Sequence, residues 1–180
     1  MFYGLATNED YFKDALNLFV ALAPAVKMDQ SNTANLLNIL AKFDWFLEAK
    51  LNEIGIHELF GKGWELEFEK IIKLIPGLSN LRNYEDLSNP AIDDPVKAKV
   101  FEGHFPHGSS IRAIVHYSQM YNNKKFAKFD YRSKEKNLEK YGTEEPPLID
   151  LESISTVPIA MYVGNKDKIV NVKDNRWLKD

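Results

Sequence analysis

The chain has 180 residues, a length that fits one ordinary globular domain. Apolar residues make up 44 % and charged residues 27 %, which excludes an intrinsically disordered chain. A net charge of −3 argues against a broad nucleic-acid-binding surface, and the absence of cysteine excludes disulfides, thiolate zinc sites and cysteine nucleophiles.

Met1 to Ala6 reads as the tail of a helix, and Asn8-Glu9-Asp10 begins another short turn. No basic start precedes an apolar stretch here, so no signal peptide is read. Leu16 to Ala23, closed by Pro24, is apolar without clean alternation, the pattern of a parallel strand covered on both faces. Asn35 to Leu51 then places Leu36, Leu37, Leu40, Phe43, Phe46, Leu47 and Leu51 at helical spacing. Gly61-Lys62-Gly63 is a turn. Trp64 to Ile75 repeats the helical pattern until Pro76-Gly77 stops it.

Ala91 to Gly103 predicts a third helix, with Pro95 tolerated near its start and Asp93-Asp94 offsetting the macrodipole. Ser109 to Tyr121 predicts a fourth, with Ser109 or Ser110 as N-cap. Phe126 to Tyr131 reads as a short strand, Lys134 to Lys140 as a charged exposed stretch, and Thr143 to Pro147 as a loop. Val157 to Val163, closed by Gly164-Asn165, is a second buried strand, with Pro158 where a missing donor costs least. Val172 to Leu178 opens a helix. No apolar run approaches the roughly eighteen residues of a membrane-spanning helix. The chain thus reads as α/β, with a helix-rich block inserted between two strands of one parallel sheet.

Chemistry-bearing groups are few. There is no Gly-x-Ser-x-Gly elbow, and Gly108-Ser109-Ser110 precedes a helix, where capping is the simpler role. His104-Phe105-Pro106-His107 has the spacing of a metal pair, but its proline prevents a regular helix and no carboxylate cluster follows, so no metal site is expected. His116 reads as a hydrogen-bonded packing residue and His57 as a surface residue. No phosphate-binding glycine loop appears, and Lys124-Lys125 reads as a solvated face. Asp167 stands apart. It follows the second strand, where open α/β sheets place functional groups, and an acid there orients a histidine. A turn aspartate capping the next helix is the alternative.

Five segments in order resemble the acid lipases, the gastric and lysosomal lipases of the α/β-hydrolase superfamily. They are Leu18-Phe19-Val20-Ala21-Leu22-Ala23-Pro24; His104-Phe105-Pro106-His107-Gly108-Ser109-Ser110; His116-Tyr117-Ser118-Gln119; Lys125-Phe126-Ala127-Lys128-Phe129-Asp130-Tyr131; and Val157-Pro158-Ile159-Ala160 followed by Gly164-Asn165-Lys166-Asp167. Ser109 replaces the family's threonine, Tyr117 its tryptophan, and the cap-region cysteines have no counterparts.

The resemblance implies a partial α/β-hydrolase fold with a large, mainly helical cap between two core strands. Residues 1–26 and 151–180 would belong to the core and 27–150 to the cap. The family's catalytic acid falls on Asp167. Its nucleophile elbow would end just before Met1, and its histidine would follow the acid, so neither is among these residues. The implied function is a fragment of a serine-type lipase acting on triacylglycerols or steryl esters, inactive as this isolated chain and without cofactor. The implied partners are a neutral lipid or ester and the lipid–water interface, in a lysosomal or secreted parent. A non-catalytic lipid- or protein-binding module derived from such a lipase is the alternative.

Overall fold

The computed structural model describes residues 1–27, 29, 46, 48–59, 61, 94–102, 104, 108–167 and 170–180. The expected helix over 64–75, most of that over 35–51, and His107 lie outside these residues. The chain forms two compact units, one of Met1–Thr33 with Gln119–Asp180 and one of Ala34–Ser118.

The first unit begins with two short helices, α1 (Phe2–Thr7) and α2 (Glu9–Ala15). Glu9 and Asp10 occupy the first turn of α2 and Lys13 the last, each favourable to the helix dipole. Leu16 closes α2, its N–H donating to the Phe12 carbonyl at 2.8 Å, so the chain is extended only beyond it. Strand β1 accordingly covers Phe19–Leu22, shorter than the apolar run 16–23. It pairs in parallel with the last strand, β4 (Ile159–Tyr162), in the register Phe19↔Ile159 to Leu22↔Tyr162. The expected parallel pairing is present, and Pro158 stands just before β4, where its carbonyl accepts from the Phe19 N–H at 2.9 Å.

One face of this sheet is a core. Ala21, Phe2 and Val26 are buried, with Phe19, Phe126, Leu151, Ile154, Ile159, Met161 and Leu178 packed against them. Phe2 meets Phe19 edge-on at 5.1 Å between ring centroids. The opposite face is open: Val20 is 46 %, Leu22 75 % and Tyr162 63 % exposed. Coverage on both faces, expected from the apolar runs, is therefore not found among the described residues. Alternation along β1 places Phe19 and Ala21 inward, in the cluster that includes Phe2 and Leu178 from the helices, and Val20 and Leu22 outward.

The remaining elements of this unit follow from local signals. Helix α5 (Lys134–Tyr141) starts at Ser133, whose Oγ accepts from the Lys136 N–H, and stops at Gly142. Gly142 has φ +75°, the left-handed conformation glycine adopts without penalty. Helix α6 (Val172–Lys179) is capped by Asn171, whose Oδ1 accepts from the Lys173 N–H at 2.8 Å.

In the second unit, residues 48–53 are helical, and β2 (Glu58–Leu59) pairs antiparallel with β3 (Ser109–Ser110). Helix α3 runs over Pro95–Glu102, with Asp94 Oδ1 accepting from the Val96 N–H at 2.8 Å. The third helix thus begins at the proline, as its fixed φ favours. Helix α4 (Ile111–Asn123) starts where the Ser110 Oγ accepts from the Ala113 N–H at 3.1 Å, which identifies Ser110 as the cap. Leu51, Ile56, Ile111 and Val115 are buried in this unit. Among the described residues, no helix is long and apolar enough to cross a membrane.

Candidate functional site

Parallel pairing sends β1 and β4 out of the sheet at the same carboxyl edge, where α/β folds gather their functional groups. Two features mark that edge. Ala23, directly after β1, donates its N–H to the Tyr162 carbonyl at 2.7 Å and has φ +48°. That conformation is strained for an alanine, and strain of this kind persists only where its surroundings enforce it.

Beyond β4 the chain turns at Gly164-Asn165-Lys166-Asp167. The Asp167 N–H closes the turn onto the Gly164 carbonyl at 3.1 Å. The half-buried Asp167 side chain accepts from the Val170 N–H through Oδ1 at 2.8 Å. Asp167 does not cap α6, since Asn171 holds that position. Its carboxylate is instead oriented by its own loop, at the carboxyl edge. Further along the chain, Asp174 and Asn175 are buried in the first turns of α6, and Asn175 Nδ2 donates to the Asn171 carbonyl at 3.2 Å.

His57 is exposed, with Nδ1 2.7 Å from Asn52 Oδ1. His104 is exposed, and His116 is half-buried on α4. Gly108 lies against Glu58: a Cβ there would fall 1.8 Å from the Glu58 Oε1, so the carboxylate would have to swing aside. Ser109 and Ser110 serve β3 and the start of α4.

A dense polar constellation joins Gln119, Asp130 and Asn137, to which sequence reasoning gave no chemical role. Gln119 is 6 % exposed, and its side-chain amide grips the Asp130 backbone at both ends. Nε2 donates to the Asp130 carbonyl at 2.8 Å, and Oε1 accepts from the Asp130 N–H at 2.9 Å. Asn137, 3 % exposed, accepts from the Tyr131 N–H at 3.1 Å. Its Nδ2 donates to Asp130 Oδ1 and to the Glu144 carbonyl, both at 3.0 Å. Tyr141 Oη–H donates to the Phe129 carbonyl at 2.9 Å.

These bonds explain why 126–131 is not a strand. Ala127 makes one antiparallel bridge to Leu148. Beyond it, side chains of Gln119, Asn137 and Tyr141 satisfy the backbone groups that a ladder would use. Two of the five lipase-like segments, 116–119 and 125–131, are thereby joined directly. The available signals were Gln119 within a lipase-like segment and an asparagine within a charged run.

No family model matches the chain. Lipase member N of Mus musculus is 36 % identical over 75 residues, which are 42 % of this chain and 18 % of that protein. Gastric triacylglycerol lipase of Rattus norvegicus is 32 % identical over 79 residues, 44 % of this chain and 20 % of that one. The lysosomal acid lipase/cholesteryl ester hydrolase of the same species is 31 % identical over 78 residues, 43 % of this chain and 19 % of that one. The matched stretch thus spans about a fifth of these relatives' length. Over it the chain is acid-lipase-like, and its helices with a small parallel sheet are consistent with the α/β-hydrolase fold this likeness implies.

Proposed function

We propose that these residues carry the acid-bearing part of a serine-type carboxylic ester hydrolase acting on triacylglycerols or steryl esters, with Asp167 as the triad acid. The observation that supports this most is the oriented Asp167 carboxylate on the turn leaving a parallel strand. In such a hydrolase, serine attacks the ester carbonyl while histidine takes its proton and later protonates the leaving alcohol. Asp167 holds the histidine in the required tautomer and stabilises its imidazolium form. Residues 1–26 and 151–180 contribute to the catalytic core, and 27–150 form a cap that shields the acyl pocket from water. A neutral ester at a lipid–water interface is the corresponding substrate.

The 180 residues contain no Gly-x-Ser-x-Gly and no histidine after Asp167, so they supply one triad member. The purified chain is expected to show no turnover of p-nitrophenyl butyrate. In a polypeptide joining these residues to a nucleophile elbow and a later histidine, Asp167→Asn is expected to lower kcat by roughly 10⁴-fold. Turnover by the 180-residue chain that Asp167→Ala abolishes, or full activity of Asp167→Asn in the longer polypeptide, would overturn the assignment.

A further inference from the structure

One carboxylate oxygen far from Asp167 in sequence carries an unusual load. Glu9 Oε1 accepts from the N–H groups of Ser155 at 2.6 Å and Thr156 at 2.8 Å. It also accepts from Thr156 Oγ1 at 3.0 Å and Ser155 Oγ at 3.2 Å. Beside this, Ser153 Oγ donates to the Ala6 carbonyl at 3.3 Å and to the Asp150 carbonyl at 2.7 Å. The two N-terminal helices are thus tied to the segment that enters β4, across more than 140 residues of chain.

We propose that Glu9 and Ser155-Thr156 form an acid-resistant clasp, which holds α2 to the segment before β4 through mildly acid pH and releases it only when the Glu9 carboxylate is protonated. The inference is independent of ester hydrolysis. Its basis is donor counting. An ionised carboxylate oxygen offers lone pairs only, and its hydrogen bonds are charge-assisted; a proton on either oxygen removes that charge and weakens every bond to Oε1. Four donors converging on one oxygen therefore select the ionised form.

The Ser155 N–H, then the Thr156 N–H, then the two hydroxyls hold the carboxyl below the usual glutamate range. A lowered folded-state value means the clasp contributes fully above the ordinary glutamate value and is lost as pH falls through the lower one. The charged groups nearby do not replace it. On α2, Lys13 is paired with Asp10, and Asp14 lies one turn beyond. Helix α1 carries no Asp, Glu, Lys, Arg or His. The facing segment carries Asp150, whose Oδ1 takes the Glu152 N–H at 3.1 Å, and Glu152 itself, both acidic.

The test is hydrogen exchange by mass spectrometry on the dilute 180-residue chain between about pH 7 and about pH 3, corrected for intrinsic exchange. Protection of a peptide covering 153–157 is expected to stay level to about pH 5, then fall roughly tenfold, while a peptide covering α5 stays protected. In Glu9→Gln, the 153–157 peptide should be less protected at neutral pH and show no acid step. Ser155→Ala, which removes one hydroxyl donor, should move the step toward higher pH. An acid step of equal size in Glu9→Gln, no step in the parent chain, or simultaneous loss over α5 would each overturn the clasp.

Discussion

Asn137→Ala tests whether side-chain amides, rather than a strand ladder, hold the 129–131 segment. The substitution removes three hydrogen bonds, to the Tyr131 N–H, Asp130 Oδ1 and the Glu144 carbonyl. They are unequal. The Tyr131 N–H loses a partner in a half-buried place, a loss of about 1 kcal/mol. Asp130 Oδ1 keeps the Arg132 N–H at 2.8 Å, so its loss is partial, again about 1 kcal/mol. Glu144 is exposed, and water replaces the bond to its carbonyl at little cost. Alanine regains roughly 0.6 kcal/mol of helix propensity in α5, while loss of a fully packed side chain adds a cavity term of about 1 kcal/mol. The net destabilisation is about 2 kcal/mol, well above the ordinary surface range.

Urea unfolding should report this as a midpoint lowered by about 1 M at unchanged slope. Asn137→Asp provides the control for volume. It keeps an acceptor for the Tyr131 N–H but sets an oxygen against Asp130 Oδ1, so it should be no better than alanine at neutral pH. The cycle with Gln119→Ala should show coupling of about 0.5 kcal/mol or more, because both amides hold Asp130. A midpoint for Asn137→Ala within about 0.2 M of the parent would sink the argument.

Two further outcomes follow from the sheet. Ala23→Gly removes the penalty of φ +48°, about 1–2 kcal/mol, against an entropy cost for glycine of about 0.4–1 kcal/mol, and should raise stability by roughly 0.5 kcal/mol in the same urea assay; destabilisation would show that the conformation is not strained. Leu22→Lys places a charge on the open sheet face, where Leu22 is 75 % exposed, and should reduce self-association of the isolated chain as measured by light scattering. Unchanged scattering in Leu22→Lys would remove that face as a cause of association.

Much of the local structure was legible because its signals are local. Ser110 was one of two expected caps of α4. Pro95, expected near the start of a helix from Ala91, opens α3 itself. The expected short turn after Asn8 extends into helix α2, and the helix following Asn171 appeared where expected. Both strands of the parallel pair were located, since each is a short apolar run bounded by a breaker. Their ends were less legible. The Leu16 N–H belongs to α2 and Ala23 leaves the β region, neither of which hydropathy reports. The Phe126–Tyr131 strand failed for a different reason. Its side chains have the right pattern, and Phe126 and Lys128 do pair with Ile149 and Pro147, but the backbone of 129–131 is taken by Gln119, Asn137 and Tyr141, brought in from two helices.

By itself, the sequence located the two paired strands and several helix starts, though not the strand ends, and carried a motif order that resembles acid lipases, with Asp167 at the position of their acid. These depend on neighbours a few residues away or on residue identity alone. Tertiary structure decided which face of each strand is buried, how residues 129–131 satisfy their backbone, and that Glu9 reaches Ser155 and Thr156. Burial and hydrogen-bond partnership are properties of pairs, and here the partners are up to 147 residues apart. A polar residue such as Asn137 or Glu9 looks like ordinary surface in a linear chain, and acquires its role only when folding brings donors and acceptors to it.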